Sequence, residues 1–272
     1  MEVGRNPVKP KLDIIFKKLF SNEELLKDLL SNALKIPEDS IKAIEFLNTE
    51  ILPENIEGKL SRMDLKLSVD GRSVNVEIQI KKERDFADRA LFLGAKLYVG
   101  GLESGEPFGK LKKSICINIV GFSMFTAPVY RSKFTMNEET RREVLSDKLE
   151  IHFFDLTKIP KIHDKINTDD KMELWLQFIN AETEEEFKML EQTGVAPIQQ
   201  AVSSIYVMRN DRAIRQAAEE REIALHDEAT RMEGARLDGM FEVARNGISM
   251  GMDTPSIITL TGLTHDEIEG LR

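Results

Sequence analysis

The sequence predicts an α/β fold, with a mixed sheet flanked by helices and a helical extension at the C-terminal end. In the first half of the chain, the patterns follow the order helix, strands, helix, strand. An Asp70-Gly71 pair between two runs of alternating apolar and polar residues predicts a β-hairpin. From Thr168 onward, apolar residues recur at helical spacing almost throughout. The 272 residues are enough to bury a core without disulfide bonds.

The individual elements follow from periodicity and from residues that start or end helices. A capping pattern at Ser21 begins a helix that Pro37 ends, and Gly100 ends the helix that begins near Asp85. The elements predicted before residue 160 are helices over 12–20, 21–36 and 85–100, strands over 43–48, 61–69 and 72–80, a buried strand over 115–120 and an edge strand over 151–154.

The C-terminal part is predicted to be a separate helical extension. Helix-breaking residues between Thr193 and Pro197 predict a domain boundary after Gly194. The first domain then covers 1–194 and the extension covers 195–272. One long helical segment is expected from Pro197 to about residue 247, followed by two short helices around Gly262. This helix-turn-helix-like tail is acidic, which favours a packing element, or a homo-oligomer contact, over a DNA reader.

Composition narrows the class of protein. A formal charge of −9 argues against a surface that binds nucleic acid over its whole extent, although the basic residues between Lys81 and Lys113 can line one cleft.

The single cysteine, Cys116, lies in an apolar run and is expected to be buried. The four histidines have no zinc-site spacing, and no glycine-rich phosphate loop is present. The N-terminal residues carry no apolar leader, so we expect a cytoplasmic protein without membrane contact.

The hairpin register predicts a pair of carboxylates. If Asp70 and Gly71 form the turn, Asp64 lies directly opposite Glu77. The same register pairs Arg62 with Gln79 and Lys66 with Asn75, on the same face of the sheet.

Two facing carboxylates have side-chain carbons about 5 Å apart and repel each other, so a cation is expected between them. Mg²⁺ or Mn²⁺ fits such oxygen ligands. The alternative is that Asp64 and Glu77 lie on a solvated sheet face, with Arg62 and Lys66 softening the repulsion. The hairpin by itself leaves both interpretations open.

Several motifs in order resemble the recombination-promoting nuclease and transposase family of the PD-(D/E)XK nuclease superfamily. The resemblance covers the first half to two-thirds of the chain. It lies in the segment from Pro10 to Phe20, in Arg62-Met63-Asp64, in Val76-Glu77-Ile78-Gln79, in Ala95-Lys96-Leu97-Tyr98 and in the segment from Phe108 to Phe122.

This resemblance implies a restriction-endonuclease-like fold and a divalent-metal-dependent DNA endonuclease linked to recombination or mobile elements. It makes Asp64 and Glu77 metal ligands, and Asp13 a further acidic residue directed at the site. Gln79 occupies the position of the superfamily's lysine, so any positive charge must come from another residue.

Possible phosphate contacts are Lys17, Lys81, Lys96, Lys112 and Tyr98, each of which is also compatible with an ordinary surface role. The alternative function is a catalytically silent nuclease-fold protein that binds nucleic acid or a protein partner.

Overall fold

A six-stranded mixed sheet lies at the centre of the first of two compact units, which ends at Arg215. The computed structural model describes residues 6–47, 50–51, 61–62 and 64–272; Asn48, at the end of a predicted strand, and Met63 lie outside these residues. The strands are β1 (Ile44–Phe46), β2 (Glu50–Ile51), β3 (Ser61–Arg62), β4 (Leu65–Val69), β5 (Arg72–Gln79), β6 (Ser114–Val120), β7 (Arg131–Asn137) and β8 (Val144–Asp155).

The helices are α1 (Asp13–Leu19), α2 (Glu23–Leu34), α3 (Phe86–Val99), α4 (Lys171–Asn180), α5 (Glu184–Glu191), α6 (Ala196–Asn210), α7 (Arg212–Ser249), α8 (Thr254–Thr261) and α9 (His265–Glu269). The sheet order is β1-β4-β5-β6-β8-β7, and β2 and β3 form a separate two-stranded ladder. Strands β5, β6 and β8 are parallel to one another. Strands β1, β4 and β7 pair antiparallel with their neighbours. The predicted α/β class with a mixed sheet is confirmed.

The predicted hairpin is present with the predicted register. Val69 pairs with Arg72 and Leu65 with Val76, and the turn residues Asp70 and Gly71 both have positive φ, as a two-residue hairpin turn requires. The Asp70 carboxylate also accepts hydrogen bonds from the main chain ahead of β1, at Lys42 and Ala43. This side chain therefore ties the turn to the neighbouring strand.

Helix α3 connects β5 to the parallel strand β6 and covers one face of the sheet. Its apolar residues recur at helical spacing and pack on β6 and β8. Gly94 allows the close approach, because a β-carbon there would lie 3.4 Å from the Cys116 sulfur. The buried cluster comprises Phe86, Ala90, Leu93, Leu97, Cys116, Val120, Phe122, Ile151 and Phe153.

The opposite face of the sheet is covered by helices from both ends of the first unit. On this face the Arg131 guanidinium lies 5.4 Å from the Phe154 ring centroid and donates a hydrogen bond to the Ala33 carbonyl of α2. Trp175 of α4 is fully buried and donates a 2.6 Å hydrogen bond to the buried Asp28 carboxylate of α2. This bond satisfies the indole N–H inside an otherwise apolar core.

Two predictions about the strands and one about the helices are wrong. The segment 151–154 is not an edge strand but part of the twelve-residue strand β8, which lies between β6 and β7. The edge strand beside β8 is β7, which the sequence analysis missed because its half-exposed pattern has no apolar run. The long helix expected from Pro197 is interrupted at Asp211, whose carboxylate accepts hydrogen bonds from the first main-chain N–H groups of α7.

The C-terminal unit spans residues 216–272. The last turns of α7 pack against α8 and α9 around Ala244, Ile257, Leu263 and Ile268. The two short helices around Gly262 are present as predicted, and Thr264 and Glu267 form a reciprocal cap at the start of α9. Among the helices that the structure describes, none combines the length and apolar character needed to cross a bilayer.

The first compact unit ends at Arg215, whereas the sequence analysis placed the boundary after Gly194. Helix α6 belongs to this unit because Ile198, Val202 and Ile205 are fully buried in it. Arg209 adds a second attachment, because it pairs with Glu184 of α5 and lies over the Phe187 ring.

We therefore expect a chain ending at Arg215 to unfold cooperatively and a chain ending at Gly194 to be largely unfolded. Burial of each large α6 side chain contributes about 1.5–3 kcal/mol, and three of them approach the total stability of an ordinary domain, about 5–15 kcal/mol. Thermal unfolding followed by circular dichroism measures the difference. Equal melting temperatures for the two truncated chains would support the boundary at Gly194 instead.

Candidate active site

Two carboxylates meet at the carboxyl end of β5. Glu77 lies near the end of this strand, and Asp64 immediately precedes its antiparallel neighbour β4. The Asp64 main-chain N–H donates a 3.1 Å hydrogen bond to Glu77 Oε1, and the Ile78 N–H donates a 2.9 Å bond to Asp64 Oδ2. The structure thus brings together the two residues that the register paired.

These bonds also end the β4–β5 ladder. The Ile78 N–H is occupied by a carboxylate, and the strand pairing stops at Leu65 and Val76. The predicted pairing of Arg62 with Gln79 is therefore wrong: Arg62 pairs through its main chain with Glu50 in the β2–β3 ladder. The other predicted pair, Lys66 with Asn75, is present.

A cation from a helix approaches each carboxylate. Lys17 of α1 places its Nζ 3.0 Å from Asp64 Oδ1. Arg89, in the first turn of α3, places Nη2 3.9 Å from Glu77 Oε2, which is an ion pair but too long for a hydrogen bond. Lys17 was one of several candidate cations in the sequence, whereas Arg89 was missed. The position of Arg89 in the first turn of the helix that follows the Glu77 strand could have identified it.

Two asparagines lie beside Glu77. Asn75, on the same face of β5, donates a 3.2 Å hydrogen bond from Nδ2 to Glu77 Oε1, while its own Oδ1 is buried without a partner. Asn118 of β6 is level with Glu77 in the parallel register and donates to the His152 carbonyl. Asn75 therefore supports the same oxygen of Glu77 that the Asp64 main chain holds.

Burial decides between the two interpretations of this face. Glu77 is only 4% exposed and Asn75 is fully buried, because α3 covers the face that the sequence left open to solvent. Burial, and then the Asp64 charge, raise the pKa of Glu77 to about 7. The interpretation as a solvated sheet face is therefore wrong for Glu77.

Gln79 lies one step further along the same face of β5. Its Nε2 donates to the Lys81 carbonyl at 2.9 Å and to Glu83 Oε1 at 3.1 Å. Residues Lys81, Lys82 and Arg84 are exposed in the loop that follows the strand. We refer to residues 81–84 as the basic loop.

The remaining predicted site residues differ in their distance from the carboxylates. Asp13 lies one turn before Lys17 on the same side of α1. Lys96 lies two turns beyond Arg89, about 10 Å along α3, with its Nζ 5.3 Å from the Phe92 ring centroid. Tyr98 lies further along α3, away from Arg89. Lys112 precedes β6, at the end of the sheet opposite Glu77.

The donor set at Asp64 and Glu77 suits a hard divalent cation. Both groups offer carboxylate oxygens, and Mg²⁺ is commonly held by one or two carboxylates together with water and substrate phosphate. Among the described residues, no cluster of three or more His, Cys, Asp or Glu side chains that could hold a metal ion is gathered. Cys116 is not a candidate ligand, because burial raises the pKa of its thiol to about 12.

A mixed sheet with an aspartate just before one strand and a glutamate near the end of the neighbouring strand has the architecture of a PD-(D/E)XK nuclease core. A family model described as "PD-(D/E)XK nuclease family transposase" matches residues 10–235, so the chain belongs to this family. The match confirms the resemblance noted in the sequence and the restriction-endonuclease-like fold class. No curated protein and no solved structure matches the chain.

The raised pKa of Glu77 predicts how the stability of the metal-free protein depends on pH. Because folding favours the protonated form, this contribution is complete below about pH 4.5 and is lost as the pH rises to about 7. Glu77→Gln removes the ionisation and is expected to raise the free energy of unfolding at pH 8 by up to about 3 kcal/mol.

Urea unfolding in EDTA at pH 5 and pH 8 measures this effect. At pH 5 the difference between Glu77→Gln and the parent should fall to about 1 kcal/mol. Glu45→Gln, at an exposed position of β1, serves as the control and should show no pH-dependent difference. A Glu77→Gln effect of equal size at both pH values would contradict the prediction.

Proposed function

We propose that this protein is a divalent-metal-dependent endonuclease that hydrolyses phosphodiester bonds of DNA. One observation carries the proposal: Asp64 and Glu77 each have one oxygen fixed by the protein and the other directed at a cation. A buried pair of like charges is costly, so a protein that places two there needs positive charge between them. The family supports a nuclease or transposase role.

In this proposal Asp64 Oδ1 and Glu77 Oε2 hold Mg²⁺ or Mn²⁺. The bound ion would polarise a phosphoryl oxygen and acidify a water molecule. Asn75 and the Asp64 main chain keep Glu77 Oε1 in place, and the Ile78 N–H does the same for Asp64 Oδ2. The Asn75 and Ile78 contacts come from β5, so the sheet holds one oxygen of each carboxylate before substrate arrives.

Local charge supports DNA as the substrate. The chain is acidic overall, but Lys17, Arg89 and the basic loop lie around the carboxylates. Lys and Arg close to a cleft attract phosphate even when the net charge of the protein is negative. The description of the family as transposases supports a role of this cleavage in recombination or in mobile elements.

The first test is cleavage of plasmid DNA in Mg²⁺ or Mn²⁺. Asp64→Asn is expected to abolish metal-dependent nicking, because the amide removes a charged ligand at nearly unchanged volume. Calorimetry with Mn²⁺ should show a parallel loss of binding. The matched control is Asp147→Asn, since Asp147 is an exposed aspartate of β8 that pairs with Lys113 away from the site. Nicking by Asp64→Asn at the parental rate would reject the proposal.

A second test concerns Gln79, to which we assign the orientation of a water molecule through a hydrogen bond to its side-chain oxygen. Its Nε2 is directed at Lys81 and Glu83, and its carbonyl oxygen can accept a hydrogen bond. Gln79→Ala should retain Mn²⁺ binding and lose about two to three orders of magnitude in cleavage rate. Gln79→Lys restores a charge at this position and should retain or raise the rate. Parental cleavage by Gln79→Ala would reduce Gln79 to a structural residue of β5.

A further inference from the structure

In each carboxylate the two oxygens have different kinds of partner. This difference indicates a function for Lys17 and Arg89. Glu77 Oε1 accepts hydrogen bonds from Asn75 and from the Asp64 main chain, whereas Oε2 faces Arg89. Asp64 repeats the pattern, because Oδ2 accepts from the Ile78 N–H and Oδ1 faces Lys17. One oxygen of each carboxylate is therefore held by a group of β5, whereas among the described residues the other oxygen is contacted by one long side chain.

Lys17 and Arg89 can move more freely than the carboxylates they neutralise. Their side chains are 40% and 41% exposed, whereas those of Asp64 and Glu77 are 15% and 6% exposed. The two cations also approach from different helices, α1 and α3. A flexible side chain with access to solvent can exchange one anionic partner for another without any change in the backbone.

We propose that Lys17 and Arg89 are exchangeable counter-ions, which neutralise the free carboxylate oxygens without metal and bind substrate phosphate when a divalent cation takes those oxygens. This inference rests on the proposed function. It also assigns the positive charge that Gln79 does not supply. Lys17 and Arg89 become phosphate-positioning residues whose carboxylate partners have been taken by the metal.

If Lys17 and Arg89 compete with the metal for the carboxylate oxygens, their removal should change metal binding and DNA binding in opposite directions. A purely structural role would not have this effect. A cation that occupies the metal's oxygens weakens metal binding, so its removal should strengthen it. The same removal should weaken DNA binding, because a phosphate contact is lost. A residue that merely supports the fold of the site would, when removed, weaken both.

The test uses Lys17→Met and Arg89→Met in the full chain. Calorimetry without DNA measures Mn²⁺ affinity, and fluorescence anisotropy measures the affinity for a short DNA duplex in Ca²⁺ at several salt concentrations. We expect Mn²⁺ affinity to rise about tenfold and DNA affinity to fall about tenfold, within the usual range of coupling between two sites. The slope of log affinity against log salt should decrease by about one in each variant.

Two further variants of α1 serve as controls. Lys18→Met removes an adjacent exposed lysine and should leave Mn²⁺ affinity at the parental value. Lys17→Arg keeps the charge and should retain both parental affinities, which excludes misfolding as the cause of the Lys17→Met effects.

The outcomes separate this inference from the proposed function. Unchanged or weakened Mn²⁺ binding in both methionine variants would overturn the exchange, provided that the parent binds Mn²⁺ and Asp64→Asn does not. If the parent binds no Mn²⁺, or if Asp64→Asn binds it equally well, the proposed function itself is overturned.

Discussion

The repulsion between Asp64 and Glu77 is the constraint around which the site is organised. Two unit charges about 4 Å apart in a partly buried site interact by about 4 kcal/mol, which is a large part of the stability of a domain. The protein compensates for this with main-chain N–H groups, an asparagine amide and two cations. These groups come from β5, from the residue before β4 and from two helices, so the sheet, α1 and α3 must all be in place for the carboxylates to coexist.

The topology explains how these parts meet. Strand β5 is followed by a crossover helix and then by the parallel strand β6, so the first turn of α3 begins near the carboxyl end of β5. Arg89 reaches Glu77 from that turn. In open α/β sheets, this end of the strands is the usual place for ligands, because the following loops and helix starts converge there. The basic loop after β5 adds exposed cations at the same end of the sheet.

Local patterns predicted the hairpin register, the apolar face of α3 and the terminal helices, because in each case neighbouring residues determine the structure. The predictions that failed depend on distant residues. The hairpin pattern left open whether the face of Glu77 is solvated, because only the distant helix α3 decides it by burying that face. Strand β7 was missed because β8 supplies its pairing. Helix α6 was assigned to the extension because the breakers at 193–197 are local, whereas its burial depends on the earlier helices. Arg89 was missed for the same reason.

The charge balance of the site accounts for a neutral residue at position 79. When both carboxylates are ionised, Lys17 and Arg89 match their charge, so these four side chains together are neutral before any divalent cation binds. A lysine at position 79 would add a positive charge to this state before any divalent cation binds. With Gln79, the positive excess arises only once a divalent cation has bound, and it is then available to the phosphate. Under the proposed exchange, metal and DNA therefore bind cooperatively, because each supplies the charge that the other requires.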